Sequence, residues 1–474
     1  MISKKKLSVL LILILLSVTV WAGKSTESIE AARFHQHQEL KQADALPKVI
    51  LHLSTPMSFE YGAPLETFDV KIEIQKDPTQ SVHEKTWMSN GKIRYRGNSS
   101  LYYDKKQYQI HLINEAGEEE KRSVLGMSAD EEWVLNGSMI DQSFIRNYLG
   151  FNIAGEIMDY APNVRFCEVE LHIDGEVIPQ GLYLFVENVK RGEDRVDIKK
   201  YDPALPSSAY VIRRDRYHPD ENIISTYADE IGASREFIGV KYPGPSTINK
   251  ETLDFIQEDV SKIEQVLYAS DQKIFETYPD YIDVDSFVDY FIINEFLANY
   301  DAGIYSTYAY KDLGGKLSMG PVWDFDQELG NDPVHEFRVD QFVLPSYPWF
   351  NALVKDREFI DRVVERYHEL RQGVLSETYL LSYIDDTIVF LGDSIERDRD
   401  IWIADETLEK MKDYGTEIEK MKSLIHEKGD WMDLHIDDLY QYTRPPVVSN
   451  APRNLAAILF VLSFILAVLL ARRE

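Results

Sequence analysis

The chain has 474 residues, 80 acidic against 51 basic side chains and a formal charge of −29 at pH 7. That balance excludes unaided nucleic-acid binding, which needs a basic footprint to release counterions, so an anionic ligand requires a local basic cluster or a metal ion. A lone cysteine, Cys167, excludes an internal disulfide and a cysteine-based zinc cluster.

Lys4, Lys5 and Lys6, the apolar run Leu7 to Val20 and the small residues of Val20-Trp21-Ala22 read as a cleavable signal peptide over residues 1–22. A retained anchor is the alternative, but the run is short for a bilayer that needs roughly 20 residues. Residues 23–46 form a polar tail. Strand patterning begins at Pro47: residues 49–53 and 68–74 alternate apolar and polar, and Gly91–Gly97 and Lys106–Leu112 follow as further strands. Asp141-Gln142-Ser143 predicts a capped helix reaching about Met158. Val169, Leu171 and Ile173 then alternate up to Asp174-Gly175, a tight-turn dipeptide, with Gly181–Val186 as the return strand.

Residues 47–200 thus read as a β-rich lobe. From about Thr252 the period becomes helical, with Val284, Phe287, Val288, Phe291 and Ile292 on one face of a helix over Asp283–Asn299. A strand pair is expected near Tyr305–Met319, and Trp349–Tyr442 reads as nearly all helix, so residues 201–443 form a mostly helical second lobe. The class is α+β, with any cleft between the lobes. Residues 444–454 are a Pro-containing spacer. Leu455–Ala471 is an apolar stretch of 17 residues flanked by Arg453, Arg472 and Arg473, which suits a transmembrane segment or a sorting tail with its arginines at the cytoplasmic face. The expected localisation is exported, with the body outside the cytoplasm.

Three clusters carry candidate chemistry. Arg94 and Arg96 share a strand face ahead of Gly97-Asn98-Ser99-Ser100 and Lys105-Lys106, a possible phosphate cradle or a solvated basic edge. Alternation puts Lys106 inward with Tyr108, Ile110 and Leu112, and Lys105 outward. Asp324 and Asp326, in Pro321-Val322-Trp323-Asp324-Phe325-Asp326, can hold Mg²⁺ or Mn²⁺ with nucleotide phosphates, although glycosyltransferases also use Asp-x-Asp. Asp301 follows the 283–299 helix and precedes Asp324 by 23 residues (324 − 301), a layout in which one carboxylate orients a nucleophile and the other holds metal. A simple loop residue after a helix is the other reading.

Together Arg96-Gly97-Asn98-Ser99, Lys105-Lys106-x-Tyr108, Asp141-x-Ser143-x-x-Arg146-Asn147, Gly181-Leu182-Tyr183 leading to Glu187, Asn299-Tyr300-Asp301 and Pro321–Asp326 resemble the spore coat protein H (CotH) family of atypical protein kinases. The resemblance continues through Trp349, Leu353, Phe359, Arg362 and Tyr367. It implies a protein-kinase-like bilobal fold using ATP and Mg²⁺ or Mn²⁺, with a secreted or cell-surface protein as the Ser/Thr phosphoryl acceptor; the membrane is expected as a partner from the apolar C-terminal segment itself. Lys106, less so Lys105, and Arg96 would meet phosphates, and Glu187 and Val189 would lie beside the adenine. Asp301 would be the catalytic base, with Asp324 and, more weakly, Asp326 as metal ligands. Family members commonly carry Asn five residues after the catalytic Asp; here Ser306 occupies that second-metal position, as a poorer neutral ligand. Alternative readings are AMP transfer or glutamylation on the same fold, or a surface structural or adhesive protein with a vestigial nucleotide site.

Overall fold

Strands whose apolar residues recur at every second position bury one face each. In the computed structural model seven of them close on themselves. The structure describes residues 46–444 except 61–64, 76–85, 138, 332–337 and 403–413. Strands β1 (Lys48–Leu53), β2 (Phe68–Gln75), β3 (Thr86–Arg96), β4 (Gln107–Ile113), β5 (Arg122–Val124), β6 (Met127–Asp130), β7 (Glu132–Asn136), β8 (Val164–Ile173) and β9 (Glu176–Glu187) make up the N-terminal region. The barrel order is β1-β2-β3-β4-β7-β9-β8, while β5 and β6 form a separate ribbon. Parallel pairing of β1 with β8, Leu51 opposite Leu171, closes the ring and removes its open edges. Val49, Leu51, Ile72, Ile74, Ile110, Trp133, Leu135 and Phe185 fill the interior, and Cys167 is buried there as a free thiol.

The β8–β9 turn takes φ 51° at Asp174 and 84° at Gly175, the left-handed pair that a two-residue hairpin requires. Helix α1 (Arg146–Ile157) starts later than the sequence pattern suggests. Asp141 first winds a turn: its carboxylate accepts the Ser143 N–H and hydroxyl at 3.0 and 2.6 Å and the Arg146 N–H at 3.0 Å. The predicted cap therefore acts across a turn.

The second half is mostly helical but carries more strands than the expected pair. Beyond the expected strand pair, β13 (Thr307–Lys311) and β14 (Leu317–Met319), it contains β10 (Tyr210–Asp215), β11 (Asn222–Ile224) and β12 (Phe237–Tyr242), in one sheet ordered β11-β12-β10-β13-β14. The longer helices are α2 (Lys250–Leu267), α3 (Val284–Leu297), α4 (Arg357–Arg371), α5 (Glu377–Leu391), α6 (Ser394–Trp402) and α7 (Tyr414–His435). Helix α3 is buried on every side from Phe287 to Leu297, apart from the half-buried Asp289, so its C-terminal end presents a loop from the middle of the core.

Helix α6 clasps the barrel. The buried Asp398 carboxylate pairs with Lys105 at 2.5 Å and accepts the Leu182 N–H at 2.7 Å, and the Trp402 indole donates to the Gln180 carbonyl at 3.1 Å. A Cβ at Gly181, where φ is 79°, would collide with Asp398, so glycine is what admits the clasp.

Among the described residues no helix is long and apolar enough to cross a membrane. The segments read as signal peptide (1–22), polar tail (23–46, apart from Leu46), spacer (444–454, apart from Arg444) and terminal apolar tail (455–474) lie outside the described residues.

Candidate active site

The Asp301 loop is fixed from several sides. Helix α3 ends at Ala298 in the left-handed conformation, φ 52°, and the Asn299 N–H returns to the Asn294 carbonyl at 2.9 Å. The Asp301 carbonyl then accepts the N–H groups of Ile304 and Tyr305 at 3.0 and 2.8 Å. From β10, the buried Arg214 donates to the Gly303 carbonyl at 3.1 Å and lies over the Trp349 ring, 4.2 Å from its centroid. The Tyr347 hydroxyl donates to the Tyr300 carbonyl at 3.1 Å. Asp301 itself is half-buried.

Asp324 faces this loop. The Ser306 hydroxyl donates to Asp324 Oδ2 at 2.6 Å, leaving Oδ1 without a hydrogen bond from the described residues. Both residues hold positive φ, 46° at Ser306 and 55° at Asp324, conformations that cost energy for side chains other than glycine and that concentrate at functional sites. The Asn299 amide donates to the Asp324 carbonyl at 3.3 Å, and the next N–H, of Phe325, donates to Asn147 Oδ1 on α1 at 2.8 Å. Behind the loop the fully buried Arg146 donates to the Glu328 carbonyl at 3.0 Å and pairs with Asp141 at 2.6 Å and Glu417 at 2.9 Å. One guanidinium thus staples α1 and α7 to the segment after Asp324.

Charge from the barrel reaches the same place. Arg96, at the end of β3, donates to Gln107 at 2.9 Å and lies over the Trp323 ring, 5.5 Å from its centroid. Burial pushes the Asp324 carboxyl above the ordinary aspartate range, and the Ser306 hydroxyl and the Arg96 charge oppose that rise. Burial likewise draws the Arg96 guanidinium down, against the Asp324 charge. Two groups not singled out from the sequence join them: Asp215 raises the Asp324 carboxyl further and Arg213 lowers it. Arg213 pairs with Glu221 at 2.6 Å and Asp215 at 3.2 Å. The available signal was the charge run Arg213-Arg214-Asp215-Arg216 at the end of an apolar strand.

Among the described residues no three His, Cys, Asp or Glu side chains converge as a preformed metal cage. Asp324, with one oxygen held and one open, could serve a hard cation as one of the one or two carboxylates that such an ion takes together with water and phosphate oxygens.

The other candidates distribute differently. The two lysines exchange the positions expected of them. Strand β4 begins only at Gln107, after a short 3₁₀ turn at Ser99–Tyr102 and a bend, so strand parity does not extend back to 105–106. Lys105 is the buried one, paired with Asp398 and lying over the Phe144 and Tyr183 rings. Lys106 is half-buried and donates to the carbonyls of Leu101 and Tyr103 at 2.7 and 2.6 Å. Glu187 is fully buried, ion-paired with Arg195 and accepting the Asn163 N–H and side-chain amide, both at 3.0 Å. Val189 packs in the core. Asp326 is half-buried, and its charge bears on Tyr103 and Glu328. The structure brings Arg96, Ser306 and Asp324 together beside the Asp301 loop, with Lys105, Glu187 and Val189 in supporting positions.

A family model described as CotH kinase protein matches residues 93–432, the bulk of the chain. The chain belongs to the CotH kinase family. This family suggests a kinase-like enzyme that uses ATP and a divalent metal, on a kinase-like fold. The match spans Arg96, the Asp301 loop and Asp324 together. Comparison with curated proteins finds no significant match.

Proposed function

We propose that the protein is an exported kinase of the CotH family that transfers the γ-phosphoryl group of ATP to a Ser or Thr hydroxyl of a secreted or cell-surface protein, with the barrel and the second half as the two lobes. The observation that carries this reading is the meeting of Arg96 from the barrel with Asp324 and Ser306 beside the pinned Asp301 loop. The export signals at residues 1–22 and 455–471 support the choice of acceptor.

In this reading Asp301 accepts a hydrogen bond from the acceptor hydroxyl and takes its proton at the carboxylate. The open oxygen of Asp324 would hold the metal, with Ser306 fixing the carboxylate's rotation. Arg96 offers its remaining N–H groups to phosphate oxygens. A bound Mg²⁺ or Mn²⁺ supplies neutralisation of the phosphate charge. Lys105, committed to Asp398, and Lys106, committed to loop carbonyls, support the walls, while Glu187 and Val189 hold the end of β9. Ser306 replaces an amide with a hydroxyl that already serves Asp324, which favours a site working with one tightly held ion.

The test incubates the purified chain and Asp324→Ala with a panel of Ser- and Thr-containing proteins, Mg²⁺ or Mn²⁺, and ATP labelled on either the γ- or the α-phosphate. The proposal expects γ-label on protein with the wild type and at least about a hundredfold less with the variant. Equal labelling by both, no labelling, or retention of α-label, which marks AMP transfer, contradicts it.

A further inference from the structure

The charge run on β10 is not fully consumed by the site. Arg213 is held by Asp215 and Glu221, and Arg214 is buried against Gly303 and Trp349. Arg216 differs. It is exposed, its guanidinium lies 3.7 Å from the centroid of Tyr305, and its side chain makes no hydrogen bond or ion pair among the described residues. Arg235 is also exposed, lies 5.2 Å from the centroid of Tyr347, and makes one hydrogen bond, to the Ser346 carbonyl at 3.1 Å.

Both arginines sit at one end of the sheet, because Asp215 pairs with Phe237 across β10 and β12. Both rings belong to the Asp301 loop or touch it: the Tyr305 N–H bonds the Asp301 carbonyl, and Tyr347 bonds Tyr300 and packs against Gly303. The Asp301 charge bears on both phenols. Glu236, the neighbouring carboxylate, is engaged by the Tyr305 hydroxyl. In a chain with 80 acidic side chains, two exposed arginines without a carboxylate partner among the described residues are unusual. Stacking keeps a guanidinium planar and pre-oriented while leaving N–H edges for a bidentate oxyanion.

We propose that Arg216 and Arg235 form an oxyanion-recognition pair that selects acceptor peptides bearing a carboxylate or phosphoserine close to the acceptor hydroxyl. The exposed aromatic pair Tyr217–Phe237, with centroids 5.8 Å apart at the same sheet end, supplies apolar contact for the peptide alongside. The proposal rests on the phosphotransfer reading for the word acceptor, but the binding itself does not require turnover.

Fluorescent peptides with one Ser, flanked by Ala, Glu, phosphoserine or Lys, are titrated by anisotropy into wild type, the Arg216→Gln/Arg235→Gln double variant and Arg362→Gln. The last alters a surface arginine paired with Asp285. Wild type and Arg362→Gln are expected to bind the Glu and phosphoserine peptides about tenfold more tightly than the Ala peptide, a preference that shrinks with added salt and falls below about twofold in the double variant. Equal binding of the Ala, Glu and Lys peptides by the wild type overturns the proposal. So does a double variant that loses all four peptides equally, or one that loses Mg·ATP affinity by the same factor, since the pair would then serve the nucleotide. Absence of phosphotransfer with the acidic preference intact would sink the kinase reading and leave this surface standing.

Discussion

The barrel interior is lined by apolar side chains from seven strands, and the charges buried at its wall are paired, Lys105 with Asp398 arriving from α6 and Glu187 with Arg195. The core that α1 shares with the second half instead buries charge at its centre: Arg146, Glu295, Glu328 and Lys428 are all nearly inaccessible. Glu328 has neither carboxylate oxygen hydrogen-bonded among the described residues, and burial holds its carboxyl far above the ordinary range. Burying polar groups costs stability unless each is satisfied, so the two regions are organised for different ends. The barrel holds its shape by apolar burial and delivers Arg96 at one rim. The second half accepts strained and polar positions, including Ser306 and Asp324 at positive φ, in order to fix the loops that carry Asp301 and Asp324.

If that division holds, perturbing the second half's loops will cost activity while perturbing the barrel clasp will cost stability. The largest effect is expected at Asp324→Ala: phosphotransfer falls at least about a hundredfold, while the melting temperature stays level or rises because a buried carboxylate with a raised pKa is gone. Arg146→Met removes the buried guanidinium that pairs with both Asp141 and Glu417 and should cost about 3–5 kcal/mol in denaturant unfolding.

Lys105→Met isolates Asp398 and should cost about 3 kcal/mol, most of it recovered in Lys105→Met/Asp398→Leu. Mg·ATP affinity of that double variant should remain within about threefold of wild type; a loss above about thirtyfold would return Lys105 to the phosphates. The smallest effect is at Ser306→Ala, about tenfold in kcat/KM. Its pH signature is specific. The hydroxyl stabilises ionised Asp324, so removing it raises the carboxyl further, and the acid limb of the pH–rate profile should move to higher pH. An acid limb that stays put would detach Ser306 from Asp324.

Much of the barrel was legible because alternation reports burial directly, as in β1, β2 and the β8–β9 hairpin with Asp174-Gly175 at its turn. So was α3, whose apolar run ends one loop before Asp301. The inversion of Lys105 and Lys106 was not legible, since it depends on where β4 starts and on Asp398, 293 residues away. Closure of the barrel was hidden for a similar reason: the β1–β8 pairing joins distant strands with no local signature. Strand β10 escaped because charge ends its apolar run and β11 because it is only three residues long, yet β10 carries Arg213, Arg214 and Asp215 to the site. Asp301 and Asp324 were visible as residues, while the Ser306 hydrogen bond that orients Asp324 needed coordinates.

The central claim is that Arg96 from the barrel and Asp324 from the second half act on one nucleotide–metal group. A double-mutant cycle on Mg·ATP binding by titration calorimetry, using wild type, Arg96→Ala, Asp324→Asn and the combination, tests it most directly. The account predicts non-additivity of at least about 1 kcal/mol, with the double variant little weaker than Asp324→Asn alone. Additivity within about 0.5 kcal/mol, or unchanged affinity in Arg96→Ala, would contradict it.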